Sequence, residues 1–245
     1  MNKFITIINY RTLISLLIAI VTIFLAYKFD LYYNVDLTLL SIAIIFPLVF
    51  NIRGSFRRRE KALEHLSQFR SALKTVHYFF MIGPGLTENE KREISNILLD
   101  ISNKLMIYLR NNHYNTKDLD ESIHKVFEFI IKKNAIIPKR ERDKIFRFVE
   151  DLHESVENLN AIHVHRTPIS LKAYCEYFIY IFPLIYGPAM IYKIGIDSPK
   201  WITYFIVLFS EFMLISLYNI QDQMEYPFDE VGLDDIDLDI FKFDR

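Results

Sequence analysis

Four long apolar segments interrupt a sequence that is otherwise rich in charged side chains. A helix needs roughly 20 apolar residues to cross the hydrocarbon core of a membrane. The required number of residues differs slightly when the helix tilts or carries tyrosines at its ends. The pattern therefore predicts four transmembrane helices, at about residues 11–28, 35–52, 170–192 and 201–219. The first segment lacks a small-residue cleavage site, so we expect a retained anchor rather than a signal peptide.

The second apolar segment continues without a break into a basic stretch that contains Arg53, Arg57 and Lys61. Within the segment, Ile42, Phe46 and Phe50 recur every four residues and therefore share one face of the helix. A bulky apolar stripe of this kind usually packs inside a subunit. On a helix arranged around an axis, it would instead form the constriction of a pore.

The basic residues near the apolar segments predict the orientation of the chain. Lys3 lies before the first segment and Arg11 at its start, and the basic stretch follows the second segment. The loops within each pair of segments carry few positive charges. Positive charge accumulates on the cytoplasmic side of membrane proteins. We therefore expect both termini and residues 53–166 in the cytoplasm, and a bacterial inner membrane or a plasma membrane as the location.

The region between the second and third apolar segments reads as helical throughout. Its one strong break is at residues 83–85, and Thr87 with Glu90 follows as a capping box, in which each side chain bonds the other residue's backbone N–H. Asp118 or Asp120 is expected to cap the next helix. No strand pattern or repeat interrupts the sequence, so the expected fold class is all-α, with residues 1–245 forming a single unit.

The C-terminal segment has the opposite charge to the rest of the chain. Residues 222–245 carry nine acidic and two basic side chains, a net charge of −7 against +6 for the remainder. A solvated acidic tail is one interpretation. Ile236, Leu238 and Phe241 are too apolar for a purely solvating segment, which favours a strap over residues 220–245 that docks on the basic cytoplasmic helices.

Few residues point to catalysis or to metal binding. Cys175 is the only cysteine, which excludes an intramolecular disulfide and a zinc site built from cysteines. His163 and His165 lack further ligands at a fitting spacing, so we expect no metal and no catalytic residues. Glu211 lies in the middle of the fourth apolar segment, where a charge is costly, and it is either functional or paired within the bundle.

Three short motifs, in this order and spacing, resemble segments of the bestrophin-type channels. They are residues 50–58 at the end of the second span, residues 166–170 at the start of the third, and residues 225–230 with 234–238 after the fourth. Together with the four-span layout, the resemblance extends over nearly the whole chain. It departs from the family pattern at Arg59 and Glu60, where the family has tryptophans.

The resemblance implies a homopentamer with an ion path along its axis. It places Ile42, Phe46 and Phe50 in an apolar neck and Ile169 at a second, cytoplasmic aperture. The expected partners are small inorganic ions, chloride foremost, together with membrane lipid and other copies of the chain, and no nucleic acid. No cofactor is expected; the alternative that the resemblance raises is calcium bound by Asp234, Asp235 and Asp237.

Two other functions are compatible with the same sequence. A non-conducting four-span scaffold or sensor would fit if the face formed by Ile42, Phe46 and Phe50 packs against residues 13–27 of the same subunit. An enzyme that works at the bilayer surface would have to use His163, His165 and Glu211. Of the three functions, an ion channel is the one that we predict.

Overall fold

The computed structural model describes residues 8–83, 85–111, 115–230, 232 and 234–244, and within these residues the regular structure is entirely helical. The fold class is therefore all-α, as predicted. Seven α-helices are followed by a short 3₁₀-helix at Leu238–Phe241. The α-helices are α1 (Tyr10–Lys28), α2 (Thr38–Ile82), α3 (Glu88–Arg110), α4 (Lys117–Lys132), α5 (Lys139–Val164), α6 (Ile169–Ile194) and α7 (Lys200–Met224).

Four of the helical stretches are long and apolar enough to cross a membrane. They are α1, the first part of α2, the stretch that ends with α6, and α7. Each contains a window of 18 residues with a mean hydropathy between 1.3 and 1.9 and no more than two charged side chains. The chain is accordingly an integral membrane protein.

Of the two helix starts that the sequence analysis addressed, one is capped as predicted and the other is not. Thr87 and Glu90 form the predicted capping box at the start of α3. The prediction that Asp118 or Asp120 caps α4 was wrong, because the cap position is Thr116 and both aspartates lie in the first turn of the helix. Acidic side chains in a first turn still favour the helix, since they face its partly positive N-terminal end.

The chain divides into two compact units, each of which is described by itself. The first consists of Met1–Arg57, Thr167–Glu225 and Gly232–Asp234, and the second of Arg58–Arg166, Tyr226–Val231 and Asp235–Arg245. We call them the apolar unit and the polar unit. That they act as a single functional unit over residues 1–245 stays a prediction.

In the apolar unit, α1 packs against α6 and α7. The buried side of α1 carries small residues, among them Ser15, Ala19 and Ala26. Small side chains let the backbones of membrane helices approach closely, which strengthens packing where no hydrophobic effect acts between helices. Ile23 of α1 is fully buried in the same cluster as Ile191 and Val207.

The polar unit has a conventional hydrophobic core. The buried side of α3 carries apolar residues at helical spacing, and it packs with α4, α5 and the second half of α2. The largest fully buried side chains of this core include Phe69, Leu73, Phe80, Ile94 and Leu105.

The acidic C-terminal segment lies on this core. Phe228, Ile236 and Leu238 are buried in it, each at most 2% exposed. The guanidinium of Arg110 donates to Glu230 (2.7 Å) and to Asp239 (2.9 Å). Both apolar burial and charge pairing therefore hold the segment in place.

Phe243, further along the same segment, is attached as well. The backbone N–H of Phe243 donates to the hydroxyl of Ser102 (3.0 Å), and its ring meets the ring of His77 edge to face. Hydrogen bonds from Lys242 and from Arg110 hold the pKa of Asp239 below its usual value. The carboxylate of Asp239 is therefore charged at neutral pH and keeps its partners.

Leu238→Ala tests how far this segment contributes to stability. The substitution deletes a fully buried side chain from the core, and we expect it to lower the free energy of unfolding by about 2–5 kcal/mol. Thermal unfolding of the purified protein followed by circular dichroism measures the effect. Ile240→Ala is the matched control, because Ile240 lies in the same 3₁₀-helix but is 44% exposed. Equal losses from both variants would contradict the docked arrangement.

Candidate functional site

The stripe of Ile42, Phe46 and Phe50 lies uncovered on the surface of the subunit. Their exposed fractions are 45%, 58% and 62%, and the rings of Phe46 and Phe50 lie 6.2 Å apart. Since these residues recur every four positions, they form one continuous apolar ridge along the first part of α2.

The opposite face of α2 holds the helix in the apolar unit. Ile44, Leu48, Asn51 and Ser55 are buried there, at most 2% exposed. Leu48 packs in a cluster with Cys175, Ile179, Ile215 and Tyr218, which belong to α6 and α7.

The sulfur of Cys175 accepts a hydrogen bond from the side-chain amide of Asn51 (3.2 Å). Cys175 is therefore a buried packing residue. The two faces of α2 are thus chemically distinct, one fixed against the subunit and one left open.

A proline interrupts the hydrogen bonding of α2 in the middle of the stripe. Pro47 has no N–H, so the carbonyl of Ala43 loses its partner within the helix. The hydroxyl of Tyr174 on α6 donates to this carbonyl (3.3 Å) and replaces the missing bond. The sequence analysis did not predict this pairing. A proline inside a helix nevertheless indicates that the carbonyl four residues earlier lacks its usual N–H donor.

Basic side chains continue the apolar ridge along the same face of α2. Arg53 follows Phe50 by three residues and Arg57 follows Arg53 by four, so helical geometry places both on the side that carries the stripe. Both are exposed. The face therefore changes from apolar to positively charged within two helical turns.

Ile169 is the first residue of α6 and is 85% exposed. Pro168 precedes it as the N-cap residue, and the backbone N–H of Thr167 donates to the carboxylate of Glu225 (3.1 Å). The start of α6 is thus attached to the residue that follows α7.

A network of charged side chains joins the ends of α1, α6 and α7. Arg11 donates to Asp222 (3.0 Å) and lies 3.6 Å from Glu176. Lys172 pairs with Asp222 and with Glu225, the latter at 3.0 Å.

The hydroxyl of Tyr218 donates to Glu176 (3.1 Å), and the guanidinium of Arg11 lies over the ring of Tyr218. Each residue of the network is polar and close to an end of an apolar segment. Their mutual pairing could not be read from spacing along the chain.

Glu211 is fully buried in α7, and the hydroxyl of Ser15 on α1 donates to one of its oxygens. The other oxygen has no hydrogen-bond partner among the described residues. Of the two alternatives for Glu211, a functional charge or pairing within the bundle, the bond from Ser15 supports the second. Glu211 is fully buried, unlike the exposed residues of the stripe on α2.

The two histidines that an enzyme would need lie in different surroundings. His163 is buried, with Nε2 3.0 Å from the carbonyl of Asn111 and its ring against Tyr108. His165 is exposed. Across the described part of the chain, no three histidine, cysteine or acidic side chains come together as a metal ion would require.

The calcium alternative rests on Asp234, Asp235 and Asp237, which follow the last apolar segment of the chain. Asp237 accepts the backbone N–H of Asp239 (3.0 Å) and so caps the 3₁₀-helix. Calcium binding by these residues stays a prediction.

The arrangement of the helices is shared with solved structures. Three crystal structures of a bacterial bestrophin homolog from Klebsiella pneumoniae, two of them point variants, each cover 95% of this chain, with TM-scores of 0.77, 0.78 and 0.78. The similarity extends over 93–95% of the homolog. The chain has the bestrophin fold. Sequence identity is 16%, and no protein-family model or curated protein matches the chain.

The bestrophin-like fold confirms the predicted fold class, an all-α chain with four apolar membrane helices. This similarity assigns no role to any individual residue, because a structural similarity at 16% sequence identity concerns the fold alone. The neck, the aperture and calcium binding therefore stay predictions.

Proposed function

We propose that five copies of this chain assemble around a common axis into an ion channel. In this assembly Ile42, Phe46 and Phe50 line a narrow neck, and Ile169 forms a second constriction. The channel has no catalytic residue and needs no cofactor. Both chain termini lie in the cytoplasm, and the membrane is a bacterial inner membrane or a plasma membrane.

The observation that carries the proposal is the open face of α2. The stripe lies opposite the face that packs in the subunit, and more than 40% of each of its side chains is exposed. In a closed ring of identical subunits, such a face can point toward the axis while the packed face points outward. The sequence motifs and the fold, both of the bestrophin type, support the same arrangement.

The chemistry of the stripe suits a gate. Narrow apolar rings resist wetting, so small shifts in helix packing can start or stop conduction without a separate plug. The rings of Phe46 and Phe50 also carry a partial positive charge at their edges, which can face a passing anion. Five copies would stack three such rings along the ion path.

The continuation of the stripe supports anion conduction. Arg53 and Arg57 follow the neck on the same helix face, so five copies would place two rings of positive charge directly after it. Rings of basic side chains favour anions, as rings of acidic ones favour cations. We therefore propose chloride, or another small anion, as the permeant ion.

The competing scaffold hypothesis has less support. It required the face of Ile42, Phe46 and Phe50 to be covered within one subunit by residues 13–27. Instead, α1 packs against α6 and α7, and the stripe stays exposed.

Alanine at the three stripe positions tests the neck. Replacing Ile42, Phe46 and Phe50 together widens the proposed constriction and makes it easier to wet, so we expect ion flux to rise several-fold. Efflux of chloride from liposomes that contain the purified protein measures this change.

The control for the neck is Phe209→Ala on α7, which removes a ring that is also exposed, at 54%, but lies on another helix. We expect its flux to equal that of the wild type. Wild-type flux in the triple variant would contradict the role of the stripe. A wild-type protein that conducts no ion would contradict the channel itself.

Arg53→Gln with Arg57→Gln tests the origin of selectivity. Removing both charged rings should lower the ratio of chloride to sodium permeability by about tenfold, equivalent to about 1.4 kcal/mol of lost attraction. Reversal potentials of the protein in a planar bilayer under a salt gradient measure the ratio. Arg59→Gln, in the same basic stretch but on another side of α2, should leave it unchanged. An unchanged ratio in the double variant would contradict anion attraction at these rings.

A further inference from the structure

Glu225 touches the chain on both sides of Ile169. One oxygen of its carboxylate accepts a hydrogen bond from the backbone N–H of Thr167 (3.1 Å), two residues before Ile169. The other oxygen accepts one from the ammonium of Lys172 (3.0 Å), three residues after it. One carboxylate thus fixes the segment that presents Ile169, at both ends.

The Glu225 side chain is well placed to fix this segment. It is only 3% exposed, so its bonds compete little with water. Bonds between a carboxylate and an ammonium or a backbone N–H are among the stronger ones in proteins. A buried carboxylate with both oxygens engaged has little freedom to move.

The segment needs an external partner because of its own sequence. Pro168, the N-cap residue of α6, makes no side-chain capping bond, and Lys172 places a positive charge in the first turn. A positive charge near the N-terminal end of a helix is unfavourable. Asp222 and Glu225, both from the end of α7, offset that charge.

We propose that Glu225 is the positioning residue of the Ile169 constriction. The inference rests on the proposed channel function and adds a residue that acts through Ile169 without lining the ion path. It also links the constriction to the end of α7, because Glu225 is the residue that directly follows this helix.

Relative permeability is the readout that separates positioning from general stability. A misplaced Ile169 changes the width of the path and therefore the ratio of flux for a large and a small ion of the same charge, such as iodide and chloride. A loss of stability alone lowers the amount of active protein and changes both fluxes equally.

The experiment measures this ratio in liposomes for Glu225→Ala, Ile169→Ala and the double variant. We expect each single variant to change the ratio by about threefold or more. For Glu225→Ala this is a modest effect for the loss of a charged hydrogen bond, and for Ile169→Ala it follows from the wider aperture. We expect the double variant to match Ile169→Ala, since Glu225 has nothing left to position. Glu225→Gln keeps the volume of the side chain and an acceptor for the N–H of Thr167, but it removes the charge that pairs with Lys172. It should therefore change the ratio in the same direction as Glu225→Ala, and it replaces that variant if the alanine protein does not assemble.

The matched control is Glu230→Ala, which removes a carboxylate five residues further on that pairs with Arg110 in the polar unit. Its ratio should equal that of the wild type. Additive effects of the Glu225 and Ile169 substitutions would overturn the inference, as would Glu225 variants with wild-type ratios. A wild-type chain that conducts no ion would overturn the proposed function and the inference with it.

Discussion

The division of the first part of α2 into a packed face and an open one is the physical constraint on which the proposed channel depends. Leu48 and Asn51 fix the first face against α6 and α7, while Phe46 and Phe50 are more than half exposed among the residues that the structure describes. An open apolar face of a membrane helix can meet lipid or another subunit, because lipid tails are as apolar as leucine. The continuation of this face as exposed arginines favours a water-filled axis, where such charges are stabilised.

The charged network at the helix ends is the second interaction on which the arrangement rests. Arg11 and Lys172 both pair with Asp222, and the three residues come from three different helices. Removing one of these residues would leave the charges of the others partly buried and unpaired. The free-energy cost of such unpaired charges exceeds the net contribution of the ion pairs to stability. Such a network therefore specifies one relative position of α1, α6 and α7, and Glu225 extends it to the segment that carries Ile169.

The fold could be predicted from the sequence to a large extent, because long apolar segments and capping residues act locally. The four membrane helices and the capping box of Thr87 and Glu90 are examples. The start of α4 was not predicted correctly, since three polar residues near it could each serve as a cap. The bond from Tyr174 to the carbonyl of Ala43 spans 131 residues, and its existence depends on how α2 and α6 pack. Spacing along one helix cannot reveal such a pair.

Disulfide cross-linking tests most directly whether five stripes meet. Phe46→Cys in a Cys175→Ala background places one cysteine per chain on the open face, and mild oxidation links cysteines whose Cα atoms lie within about 7 Å. In a ring of five, at most two pairs can form, so the account predicts that about one-fifth of the chains stays unlinked at saturation, whereas Phe209→Cys forms no links. Absence of cross-links at Phe46, or complete conversion to dimers, would contradict the account.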